Sequence, residues 1–305
     1  MDKRNRLDKS LGSYIAWFYY EKEWPQYRIA KEFGLSKALV SRILKQAKSE
    51  KIVDIKIHFP FDRDEEIEQE IVRKYKLRSA YVVDGDETDI LDLIGKAAAF
   101  ITNISINDGD IIGLSVGRTV ARMIRHIGYR NAPTVSIVQL IGGFGKVVEY
   151  DPCSLVHEMC RKMKAQGTYY NSLAIVRDKT TQKISKSDPC VDLWTKCNKA
   201  IFGIGPTERS ILVSSGLIKK EEMDEIVEAG GIGDILGHYF NSDGKVVVTE
   251  IDKWLESIPL EILMAIPERI AVAGGDEKVE AITGVLLSGY VNTFITDKKT
   301  ASALI

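Results

Sequence analysis

Two hydrophobic rhythms divide the chain. Up to about residue 50 apolar side chains recur every three or four positions, and from residue 80 onward many come in short unbroken runs. The first rhythm is that of amphipathic helices. Ile15, Ala16, Phe18 and Tyr19 mark the inner face of a helix over roughly Leu11–Lys22. Residues 23–50, EWPQYRIAKEFGLSKALVSRILKQAKSE, then predict two short helices joined by a tight turn. Pro25 suits a helix start because its φ is already fixed there. Tyr27, Ile29, Ala30 and Phe33 have the spacing of a packed face, and Gly34 can take the positive φ of the turn. Ser36 is a natural N-cap for the next helix. Leu39, Val40, Ile43, Leu44 and Ala47 form that helix's buried side, leaving Lys37, Ser41, Arg42, Lys45 and Lys48 on the other. Residues 52–58, IVDIKIH, alternate and predict a wing strand. The result is a winged helix-turn-helix, which places its second helix in the major groove of double-stranded DNA.

The second rhythm predicts an α/β body. Residues 62–76 have helical spacing and join the two parts, so the expected domains are 1–59 and 60–305. Strands are expected at AYVVD (80–84), DIIGLS (110–115), TVSIVQL (134–140), SLAIV (172–176), KAIFGIG (199–205), RIAVA (269–273) and NTFIT (292–296). Helices alternate with them at 90–104, 119–127 and 279–289, with one more closing the chain. Near-continuous apolar strands alternating with helices predict a parallel sheet covered on both faces.

Charge separates the same two parts. Residues 1–60 hold thirteen Lys and Arg against seven Asp and Glu, a surplus of six; the whole chain carries −1, so residues 61–305 carry −7. A basic module on an acidic body suits a phosphate-facing reader. Base edges would be read by the start of the second helix (Ser36, Lys37, Ala38, Ser41, Arg42) with Lys45 on the same exposed side, while Gln26 and Tyr27 fall on phosphates. No apolar run approaches the roughly 20 residues of a membrane span, and the charged start MDKRNRLDKS has no signal-peptide pattern, so a cytoplasmic protein is expected. The four cysteines are expected to be reduced. Cys153, His157 and Cys160 share a helix face, but three ligands without zinc-type spacing fit a buried stripe better than a metal site. Neither a metal nor a cofactor is expected.

Several strands end in glycine-rich turns: Ser115–Thr119, Ile141–Gly145, Gly203–Gly205 and Gly274–Lys278. Ligands of open parallel sheets bind beyond the carboxyl ends of the strands, and helix starts there attract anions. Arg118, Thr119 and Lys278 add charged or hydroxyl donors, which points to an anion pocket. None of these loops is a dinucleotide fingerprint, because G231-I-G-D-I-L-G237 has the wrong spacing. Asp234 can accept hydrogen bonds from ligand hydroxyls or can start a helix.

Taken in order, IAWFYYEKEWPQYRIAKEFGLSKALVSRILKQAKSEKIVDIKI, DIIGLSVGRTV, VQLIGGFG, GIGDILGHYF and IAVAGGDEKVEAITGVLLSGYVNTFITDKKTASALI resemble the SorC (sugar-binding) family of bacterial transcriptional regulators over nearly the whole chain. The tail also resembles the branches that sense phosphorylated autoinducer-2, sorbose and sugar alcohols. The resemblance implies an effector domain of the sugar-phosphate isomerase/deaminase-like type. It also implies a homodimer or homotetramer, and an operon for carbohydrate uptake or catabolism under the control of a phosphorylated sugar, sugar alcohol or related metabolite. It places Arg118, Thr119, Gly142, Gly143, Gly274, Gly275 and Lys278 on the phosphate side and Asp234 on a hydroxyl. Two positions depart from the family pattern. Arg118 follows Gly117 where many relatives carry a small residue or threonine, and Ile141 stands where deoxyribonucleoside-type members carry an imine-forming lysine. Two alternatives stay open. An isomerase or deaminase would need an acid–base pair such as Asp234 and His238, and a scaffold would bind DNA with an affinity that no metabolite alters.

Overall fold

The computed structural model describes residues 9–55, 59, 61–85, 89–145, 150–178, 180 and 188–305. The chain divides into two compact units, Met1–His58 and Phe59–Ile305.

The first unit packs helices α1 (Lys9–Tyr20), α2 (Gln26–Glu32) and α3 (Lys37–Ser49) around Ile15, Ile29, Val40, Ile43 and Leu44. Burying each such side chain stabilises the unit by about 1.5–3 kcal/mol. Pro25 flanks the start of α2, and Gly34 takes φ +62° at the turn, where Leu35 N–H closes on Ala30 O at 2.8 Å. Ser36 caps α3 by accepting from Leu39 N–H at 3.1 Å. Tyr27 departs from its expected place in the packed face: it is 68% exposed, because Ile29 and Ala30 fill the inner face of so short a helix. The wing is also corrected in part. Residues 52–55 form a turn and irregular chain after α3 rather than a strand, and 56–58 lie outside the described residues.

The second unit begins with the edge strand β1 (Asp62–Arg63) and then alternates strands and helices: α4 (Glu65–Tyr75), β2 (Ser79–Asp84), α5 (Ile90–Ser105), β3 (Ile111–Leu114), α6 (Arg118–His126), β4 (Ser136–Gln139), α7 (Pro152–Met163), β5 (Gln166–Thr168), α8 (Pro189–Trp194) and β6 (Lys199–Gly203). The chain continues through β7 (Gly205–Pro206), α9 (Ile211–Ser214), α10 (Lys220–Glu228), β8 (Gly233–Ile235), β9 (His238–Phe240), β10 (Val246–Val247), α11 (Leu260–Ala265), β11 (Glu268–Val272), α12 (Val279–Leu287), β12 (Thr293–Asp297) and α13 (Lys298–Leu304).

The main sheet has the order β1-β2-β12-β11-β6-β3-β4-β5, and β2 to β5 in that order are all parallel. Only β1 is antiparallel. Ile112, Leu114, Ile201, Ile270, Val272 and Ile295 bury on one face with residues of α5, α6 and α7. Val138, Ala200, Phe202, Ala271 and Phe294 bury on the other. That two-sided burial is why the strands read as apolar runs rather than alternations. Among the described residues no helix is long and apolar enough to cross a membrane.

The strand expected at 172–176 does not join the ladder. Leu173 makes an isolated parallel bridge to Gly143, in the register that β5 keeps with β4, and Ile175 makes an isolated antiparallel bridge to Leu255. A small antiparallel sheet, β10-β9-β8-β7, was not anticipated at all. Its β8–β9 hairpin turns through Leu236 and Gly237, both at positive φ (56° and 82°). Since β7 follows β6 after a single residue, this sheet is tied to the end of the main one.

Candidate functional site

On the first unit, Lys37, Ala38, Ser41, Arg42, Lys45 and Lys48 of α3 are all exposed, opposite the buried Val40, Ile43, Leu44 and Ala47. Tyr27 is exposed and Gln26 half-buried at the start of α2. Ser36 is also exposed, though its oxygen is engaged as the α3 cap. Arg28 lies 3.8 Å from the Trp24 ring centre and adds to this basic surface. A helix with one apolar stripe and one basic stripe can enter a groove with its cations toward phosphates.

On the second unit, a cavity of about 450 Å³ opens at the carboxyl ends of β3 and β6. These neighbouring strands send the chain in opposite directions: β3 leads through α6 to β4, and β6 leads away toward β11. Divergent connections leave a crevice, the usual ligand position in open parallel sheets. Ser115 to Thr119 form one wall, and Gly203 to Pro206 the adjoining one. Asp234, Leu236 and Lys278 close it from the small sheet and the turn before α12, with Tyr150 at its margin. The segment around α9, from Glu208 to Ser214, lines the remaining side.

Helix starts around the sheet differ in one respect. α4, α5, α7, α8 and α13 each begin on an aspartate (Asp64, Asp89, Asp151, Asp188, Asp297) whose carboxylate accepts from the first-turn amides. α6 begins on Gly117, at φ +138°, with no side-chain cap. Its first turn, Gly117 to Thr119, lines the cavity without a side-chain cap and carries the positive end of the helix dipole. Thr119, 2% exposed, sits in that turn, and Arg118 is exposed at its rim.

Lys278 is buried, at 7% exposure, and among the described residues its ammonium makes no ion pair or hydrogen bond. Burial, reinforced by the nearby Arg118 charge, lowers its pKa to about 8, against the partial pull of Glu277 and Asp234. Asp234 moves the other way. Burial raises it to about 6, opposed by the Gly237 N–H that it accepts at 3.1 Å and by Lys278. Its carboxylate packs on Gly205, where a Cβ would come within 2.4 Å of Oδ1. The cavity thus holds an amide-lined cationic end and a separate carboxylate acceptor.

Of the site residues expected from sequence, Gly117, Arg118, Thr119, Asp234 and Lys278 line this cavity, and Gly142, Gly143, Gly274 and Gly275 do not. The amides of the second group serve the fold. Gly142 N–H donates to Glu256 O and Gly143 N–H to Ser172 O, both at 2.8 Å, and Gly142 lets the chain pass against the Leu173 backbone. Gly275 N–H donates to Thr300 Oγ1 at 2.7 Å, and Gly274 packs against Asp297. Ile141 is 1% exposed and bridges Ser257, away from the cavity. The Asp234–His238 pair fails as an acid–base couple. The two lie on facing strands with Asp234 opposite Tyr239 and His238 opposite Ile235, so their side chains leave the sheet on opposite faces. His238 Nε2 is instead hydrogen-bonded to Ile258 O at 3.0 Å. Cys153 is exposed, while burial pushes the Cys160 thiol up to about 11. Sequence reasoning named Ser115 only as the start of a glycine-rich turn, with no role for its hydroxyl, and missed Tyr150 and the whole α9 wall; only the hydroxyl-rich string TERSILVSS hinted at the last.

A family model described as "Putative sugar-binding domain" matches residues 60–305. The sorbitol operon regulator of Klebsiella pneumoniae is 28% identical over 312 residues, covering 99% of this chain and 99% of that protein. The deoxyribonucleoside regulator of Bacillus subtilis (strain 168) is 27% identical over 314 residues, again covering 99% of each. The crystal structure of the full-length sorbitol operon regulator SorC from K. pneumoniae superposes with a TM-score of 0.73 at 28% identity, covering 97% of this chain and 99% of that one. These relatives are transcriptional regulators and not enzymes, and with the domain match spanning most of its length the chain belongs to the SorC family of sugar-binding transcriptional regulators.

Proposed function

We propose that this chain is a helix-turn-helix reader of operator DNA for carbohydrate uptake or catabolism, controlled by a phosphorylated sugar, sugar alcohol or related metabolite. The N-terminal domain (residues 1–59) presents α3 to the major groove, with Arg42, Ser41, Lys37 and Ala38 toward base edges and Lys45, Gln26 and Tyr27 toward the backbone. The effector domain (60–305) holds the metabolite in the β3–β6 cavity and joins copies into a homodimer or homotetramer. Binding shifts the population between DNA-competent and incompetent arrangements. The protein acts in the cytoplasm.

The observation that carries the effector assignment is Lys278, a buried cation without an ion pair or hydrogen bond among the described residues, in a cavity that also receives the uncapped start of α6. An isolated buried charge is costly, and a dianionic phosphate would neutralise it and meet the first-turn amides of α6 together. Asp234 is left for the hydroxyls of the sugar part. Thermal unfolding of the full chain against sugar and polyol phosphates tests this, since a ligand of the folded state raises the midpoint by mass action. A phosphorylated compound should raise it where its dephosphorylated parent does not. Equal shifts from both would remove the phosphate from the assignment.

A further inference from the structure

We infer that Ser115 is the hydroxyl that reads the sugar or polyol part of the effector, and so sets selectivity beyond the phosphate; this rests on the phosphorylated-effector assignment above. Among the described residues, the buried side-chain atoms without a hydrogen-bond partner include Ser115 Oγ, Thr207 Oγ1 and Thr296 Oγ1, and of these residues only Ser115 lines the cavity. Ser115 is 1% exposed, at the first position beyond β3. Its own N–H donates to Ile201 O at 3.0 Å, which extends the β3–β6 ladder by one bond and fixes the backbone. The hydroxyl is therefore held on a rigid strand end in the crevice, with no bond among the described residues to explain it.

The remaining polar groups decide what it meets. Phosphate oxygens find their donors at the other groups of the cavity: the α6 amides, Thr119, Arg118 and Lys278. Ser115 and Asp234 differ in kind, one able to donate and the other, when ionised, only to accept. A carbon-bound hydroxyl both donates and accepts, so a row of them satisfies the two together: one oxygen accepts from Ser115 while one hydroxyl donates to Asp234. A buried hydroxyl that must be paired rejects analogues lacking the matching group, which is how a polar site gains selectivity that an apolar one lacks. The ligand class is thus a monophosphate with an unreduced set of hydroxyls, rather than a deoxy or purely alkyl phosphate.

Calorimetric titration of the full chain and its Ser115→Ala variant tests the assignment, using inorganic phosphate, hexitol and pentose monophosphates, and the matching unphosphorylated polyols and sugars. The variant should bind inorganic phosphate within about twofold of wild type and lose about tenfold or more on the best sugar or polyol phosphate. Its melting midpoint without ligand should equal or exceed that of wild type, because an unpaired buried hydroxyl has been removed. A structural hydroxyl would lower that midpoint. Equal losses on phosphate and sugar phosphate would move Ser115 to the anion end and overturn the inference, as would unchanged affinity for every probe, the result if the hydroxyl bonds only water. Should wild type prefer unphosphorylated polyols, the phosphate assignment falls. Ser115 is then judged by the same loss on those polyols.

Discussion

Among the described residues of the second unit two lysines are buried, at opposite ends of the same sheet, one paired and the other not. Lys199, 8% exposed, begins β6 and reaches Asp110 before β3 and Glu268 at the start of β11, each at 3.2 Å. Asp110 is further held by Asn198 Nδ2 at 2.5 Å and by Asn107 N–H at 2.8 Å. Lys278, 7% exposed beyond the carboxyl end of β11, has Arg118 near it and no bonded carboxylate. Folding has paired the cation at the amino ends of β6 and β11 and left the one beyond the carboxyl end of β11 without a bonded carboxylate among the described residues. A paired buried cation serves stability. An unpaired one in a cavity is a place for an anion.

The largest expected effect breaks the paired end. Lys199→Met leaves Asp110 and Glu268 without their cation and should cost about 3–5 kcal/mol of unfolding free energy, measured by denaturant titration. Lys278→Met should leave that free energy equal or higher, since a buried charge is replaced by a side chain of similar volume, and should weaken the phosphorylated ligand by about 100-fold. If both variants lost stability alike, the contrast between the two ends would be gone.

Arg42 extends the comparison to an exposed cation in the other unit. Arg42→Ala should weaken operator binding by about tenfold and leave metabolite binding unchanged; if it contacts a phosphate, it should also flatten the salt dependence. Loss of metabolite binding as well would contradict a division of labour between the units.

A smaller, graded effect comes from pH. Lys278 titrates near 8 in the fold against an ordinary 10.5, so the unfolded chain holds more protons between these values and ligand-free stability rises with pH across them. Asp234, near 6 against 3.8, makes stability fall as pH rises from 3.8 to 6. The two groups therefore burden the ligand-free fold most between about 6 and 8, where both are charged. Stabilisation by an anion needs the charged lysine and should decline as pH climbs past 8, which melting curves with and without ligand would record. A ligand effect flat from pH 7 to 10 would detach Lys278 from the anion.

Much of this was legible in the sequence because it depends on local pattern. Apolar runs marked all the long parallel strands, and Gly34 with Ser36 marked the turn and cap of the first unit. What escaped depends on long-range closure. Gly142 and Gly143 look like Gly117 in sequence, yet Ser172 and Glu256 take their amides, and neither partner is near in the chain. SLAIV has the composition of a strand but divides its pairing between Gly143 and Leu255, which are far apart in the chain, and forms no regular ladder. The small sheet hides because β7 and β10 are two residues each, too short for any periodicity. Asp234 was recognised as polar and well placed, but its neighbour across the hairpin, and hence the failure of the His238 pairing, needed the Leu236–Gly237 turn.

In the proposed function, ligand at the Lys278 cavity controls the DNA-facing unit. The most direct test of this control is operator binding by the full chain, followed by fluorescence anisotropy at fixed salt, with and without the phosphorylated compound that stabilises it. A shift in the operator dissociation constant that disappears in Lys278→Met, while that variant binds operator like ligand-free wild type, is the predicted result. A compound that binds the cavity tightly and leaves operator affinity unchanged would contradict the account, making the cavity a structural ligand site on a DNA-binding scaffold.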